Sequence, residues 1–140
     1  MKRKIELKCK QLFLIYNSIN AMEVHLIKNN IKVKTFTDII NDIPNNIEDN
    51  IKYILYKSMK HLMVLCNYIK VRQLITQIRS NLIKDYNKYI DLGNIENIKK
   101  QLNLKVISLK NNLENTKIIT KELLDIAYIC ILSLIYIDNN

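Results

Sequence analysis

Glycine and proline occur once each in this chain of 140 residues, as Gly93 and Pro44, and tryptophan does not occur. Catalytic loops and tight hairpins rely on glycine's access to positive φ and on proline's fixed φ, so a chain this poor in both is ill equipped to build them. A single glycine also excludes GxGxxG and Walker-type phosphate loops. The three cysteines, Cys9, Cys66 and Cys130, are odd in number, far apart and without a CxxC pair. With no glycosylation sequon and no signal-peptide pattern, they imply reduced, buried thiols in an intracellular, soluble protein, cytoplasmic by expectation. The two histidines, His25 and His61, form no HxxxH or HExxH motif, so no metal and no cofactor is expected. The longest uncharged apolar run, Ile126 to Ile137, is too short for a bilayer's hydrocarbon core, which takes about 20 residues. No transmembrane segment is therefore expected.

What is present is isoleucine, asparagine and lysine, 26, 19 and 19 residues respectively. All three share A/T-rich codons, so the bias is read first as the mark of an A/T-rich genome. That discounts the asparagines as a polar active site and the lysines as proof of a nucleic-acid partner. The net charge of +9 is unevenly spread: residues 1–36 carry +6, 37–65 carry −1, 66–92 carry +3 and 93–140 carry +1. A basic protein of this kind attracts anions without choosing among nucleic acid, acidic protein and anionic membrane.

Apolar spacing predicts an all-α fold: a single-domain bundle of about five helices, residues 1–140, with a strongly apolar C-terminal helix. Ile5, Cys9, Leu12, Tyr16, Ile19 and Leu26 place a first helix over about Arg3 to Lys28. Residues 29–46 read as a long connection with a short helix, capped by Thr37, running through Ile43 and stopped by Pro44. Asn45 or Asn46 caps the next helical region, whose buried face is Ile51, Leu55, Leu62, Cys66 and Ile69. A slip of pattern near residues 67–72 leaves open whether 47–91 is one bent helix or two. Gly93 stops it, Asn94 caps the next helix, and Ile95, Ile98, Leu102, Val106, Leu109 and Leu113 form that helix's stripe. A break near Asn115 precedes the last helix, Lys117 to about Ile137. Within it Asp125 is anomalous, because an isolated carboxylate on an apolar helix is costly unless it reaches water or a lysine.

No nucleophile, acid–base or metal constellation stands out, so an enzyme is not expected. The expected function is a non-enzymatic protein–protein interaction module: a complex subunit or regulator binding a partner through an apolar helix face or groove, or a homo-oligomer. Phe13, Tyr16, Met22, Met59, Met63 and Tyr136 are the candidate contact residues, because methionine and tyrosine suit adaptable interfaces. The alternative is a basic nucleic-acid-associated accessory protein that tracks the phosphate backbone without sequence specificity. Arg72, Arg79, Lys84 and Lys88 share one broad helical face with Gln73, Thr76 and Asn87 for that role.

Overall fold

The computed structural model describes residues 35–65 and 94–138, together with Gln73, Thr76, Gln77 and Ser80. Among the described residues the protein is all-α, with four α-helices, one 3-10 turn and no strand. The first helix read from the sequence, residues 29–34 of the stretch read as a connection, and most of residues 66–93 lie outside the described residues.

Helix α1 (Phe36–Asp42) is capped by Thr35, whose Oγ1 accepts a hydrogen bond from the Asp38 N–H at 3.2 Å. The cap falls two residues before the expected Thr37. Thr35 holds an extended backbone (φ −70°, ψ 161°) that aims its hydroxyl at the third amide, and Asp38 then stands in the first turn to complement the helix dipole. Helix α1 also stops at Asp42, one residue short of the expected Ile43, and a 3-10 turn, Ile43–Asn45, follows it. Pro44 sits at the start of that turn, where a missing N–H leaves no helical bond unmade. The turn is fastened to the next helix by Asn50, whose side-chain amide donates to the Asp42 carbonyl at 2.8 Å.

Helix α2 (Ile47–Leu65) starts after Asn46, whose side chain donates to Asp49 Oδ2 at 3.0 Å. Its first turn carries Glu48 and Asp49, and Lys52 reaches back to Glu48 at 2.8 Å in an exposed pair worth a few tenths of a kcal/mol. Helix α3 (Ile95–Asn111) is capped by Asn94, as its spacing predicts, with Oδ1 accepting from the Glu96 N–H at 2.9 Å. It ends where the Asn112 N–H donates to the Leu109 carbonyl at 3.2 Å and the Asn112 side chain to the Ser108 carbonyl at 2.8 Å. Helix α4 (Thr116–Asp138) begins behind Asn115, whose Oδ1 accepts from the Ile118 N–H at 3.2 Å.

The four helices pack as a ring. Helix α4 lies chiefly against α2 and next against α3, while α1 and the 3-10 turn close against the same two helices from another side. Helices α2 and α3 meet each other only marginally. The core is aliphatic: Ile39, Ile40 and Ile43 from α1 and the turn, Ile51, Ile54, Met59 and Leu62 from α2, and Ile98 and Leu102 from α3 are fully buried. Residues 35–46, the described part of the stretch read as a connection, thus supply a layer of the core. On α4 all nine residues from Ile126 to Leu134 are buried, a run that takes in every side of the helix. Two hydroxyls enter this core already satisfied. Ser58 donates to the Ile54 carbonyl at 2.8 Å and Ser133 to the Ile129 carbonyl at 2.7 Å, each one turn back along its own helix.

Candidate binding groove

In this ring α2 and α3 stand opposite each other, and a groove of about 380 Å³ opens where the second half of α2, the end of α3 and the starts of α1 and α4 converge. All four helices line it. Thr35, Phe36 and Thr37 come from the start of α1; Lys57, His61 and Leu65 from the second half of α2. The end of α3 and its following turn bring Val106, Leu109, Lys110 and Leu113, and the start of α4 brings Ile119 and Leu123. The floor is aliphatic. Leu113 is 72% exposed and Leu65 38% exposed at the margins. Leu113 continues the α3 stripe in sequence but falls beyond the helix end at Asn111, so the turn carries it out of the core.

The groove's ionisable side chains are all basic. Lys57, His61 and Lys110 are its only ionisable lining residues among those described, and no carboxylate joins them. Phe36 organises two of the three: its ring centroid lies 5.8 Å from that of His61, and the Lys57 ammonium stands 5.5 Å above its face. Lys110 donates to Thr37 Oγ1 at 3.4 Å and so bridges α3 to α1. Burial pushes His61 below its ordinary value of 6.5, and the positive charges of Lys57 and Lys60 push it further, so the imidazole is neutral at pH 7. Lys57 is likewise lowered, first by burial and then by Lys60.

Asp125 lies elsewhere and is not isolated. Lys105 on α3 reaches it at 2.9 Å and stands 3.8 Å from the buried Glu122, so one cation serves two carboxylates and ties α3 to α4. The lysine partner considered for Asp125 in the sequence is therefore present. Cys130 is a free, fully buried thiol whose pKa burial raises steeply, which keeps it protonated and unreactive. Among the described residues no group of three or more His, Cys, Asp or Glu side chains is placed to hold a metal ion.

Of the contact residues read from the sequence, Met59 is fully buried in the core, out of a partner's reach. Phe13, Tyr16 and Met22, and the side chains of Met63 and Tyr136, lie outside the described residues. So do Arg72, Arg79, Lys84 and Lys88, although Gln73 and Thr76 from the same face are helical and exposed. The groove residues Phe36, Lys57, His61, Leu65, Lys110 and Leu113 carried no motif. The available signals were the i,i+4 spacing of Lys57 and His61 and the position of Leu113 after an asparagine pair. Among the described residues no helix is long and apolar enough to cross a membrane. Neither a family model, a curated protein nor a solved structure matches the chain.

Proposed function

We propose that this protein is a non-enzymatic binding module, a bundle of about five helices with a strongly apolar C-terminal helix, that holds a protein partner in the groove between α2 and α3. One observation carries the reading: an apolar floor lies open where all four helices converge, with Leu65 and Leu113 exposed at its edges. Grooves between helices that present aliphatic side chains are the usual receptors for a partner's apolar face. Among the described lining residues no carboxylate stands beside the imidazole to form an acid–base pair, and its neighbours are lysines and a phenylalanine.

The test is site-specific photo-cross-linking in cells that express the protein. A benzophenone side chain at Leu113 is compared with one at Lys100, which is exposed on α3 outside the groove. A discrete heteromeric product from position 113, missing from position 100, is the expected outcome. Equal labelling from both positions, or none from 113, refutes the groove as a partner site.

A further inference from the structure

Resting on that reading, we infer that the occupant of the groove is an acidic amphipathic helix, whose apolar side chains seat on Val106, Leu109, Ile119 and Leu123 and whose carboxylates meet Lys57 and Lys110.

The charge pattern selects this occupant. The described lining offers basic side chains on both walls, Lys57 and His61 from α2 and Lys110 from α3, and no acidic one. Other parts of this chain do not complement that rim: residues 1–36 carry +6 and residues 66–92 carry +3. A second copy brings +9 as a whole. Like charges brought together at an apolar interface cost several kcal/mol, so self-association through this groove is opposed and an acidic partner is favoured.

The shape selects a helix over a small amphipathic acid. Apolar surface runs from the cavity of about 380 Å³ out to Leu65, 38% exposed, and Leu113, 72% exposed, and a helix about 10 Å across spans that width while its inward side chains fill the cavity. Lys57 from α2 and Lys110 from α3 both reach the start of α1, at Phe36 and Thr37, which matches acidic residues along the edge of an apolar stripe that faces α1. The lysine stems themselves are apolar and extend the floor up to the ammonium groups.

The experiment uses the full chain and four probes in calorimetric titrations at low and moderate salt. Three are designed helical peptides of about 18 residues with an identical leucine stripe, flanked by glutamate, glutamine or lysine. The fourth is dodecanoate. The glutamate peptide is expected to bind at least tenfold tighter than the glutamine peptide, and the lysine peptide more weakly still, with the gap narrowing as salt rises. The double variant K57E/K110E is expected to reverse that order, and K57Q/K110Q to level it, so the outcome does not depend on one variant folding. Equal binding of all three peptides overturns the acidic partner while leaving the groove as a docking site. Failure of every peptide overturns both. Dodecanoate displacing the bound glutamate peptide at equal concentration overturns the helix in favour of a small amphipathic acid.

Discussion

Replacing Lys105 with methionine removes the cation on α3 that pairs with carboxylates of α4, and its cost follows from the geometry. The Lys105–Asp125 contact at 2.9 Å corresponds to a gross attraction of about 1.4 kcal/mol at the dielectric constant of water and about 6 kcal/mol at an effective constant of ~20. Both side chains remain about one-third exposed, and each gave up part of its hydration to make the contact, so the pair itself is worth about 1 to 2 kcal/mol. Methionine leaves a second cost. Glu122 is buried 3.8 Å from the lysine nitrogen, and without Lys105 two carboxylates on neighbouring turns of α4 lose the same counter-ion. The expected total is about 2 to 3 kcal/mol, or a fall in Tm of roughly 6 to 9 °C for a chain of this length. Urea denaturation of the wild type, Lys105→Met, Asp125→Asn and the double variant gives the coupling directly, expected at about 1 to 2 kcal/mol. Charge reversal sharpens the test. Asp125→Lys sets two ammonium groups against each other, and adding Lys105→Glu recovers only part of the loss, because the new glutamate then faces Glu122. A Lys105→Met variant within about 0.5 kcal/mol of wild type refutes the account and returns the triad to the status of an ordinary surface pair.

Truncating Met59 to alanine, at a fully buried position of α2, opens a cavity in the aliphatic core and is expected to lower stability by about 2 to 4 kcal/mol without a change in denaturant slope; a loss under 1 kcal/mol in chemical denaturation contradicts its burial. For His61 the sign is fixed by linkage. Its folded value is depressed below 6.5, so the unfolded chain binds the proton more readily, and its contribution to stability is full above 6.5 and declines as pH falls through the folded value. An NMR titration of the imidazole is expected to show a midpoint below 6.5, raised only part of the way by Lys57→Gln and Lys60→Gln, since burial is the larger cause. Full recovery to 6.5 in that double variant assigns the shift to charge alone and refutes desolvation as its larger cause.

What was legible in the sequence was whatever a single helix decides for itself. Asn94 marks a helix start because an asparagine oxygen satisfies an amide of the next turn whatever surrounds it, and Asn115, read from the sequence only as a break, does the same for α4. The stripe Ile98, Leu102, Val106 and Leu109 is buried because helical periodicity puts those residues on one side. Thr35 and Thr37 were harder to separate, since both precede acceptable first turns and only the backbone of Thr35 settles which hydroxyl finds an amide.

The groove is of a different kind. It depends on which helices touch, and α2 and α3 carry no mark that they stay apart while each packs against α1 and α4. Met59 shows the limit from the other side: methionine suits a partner surface and a core gap equally well, and its place on α2 decides for the core. Leu113 and Leu109 are both leucines on one stripe, four residues apart. One is buried and the other stands 72% exposed at a rim, because the helix between them stops at Asn111. An asparagine that ends a helix one turn early thus turns a core leucine into a contact leucine. Restoring helix-forming residues at positions 111 and 112, with alanine at both, is the change that would draw Leu113 back toward the core and narrow the groove from its α3 side.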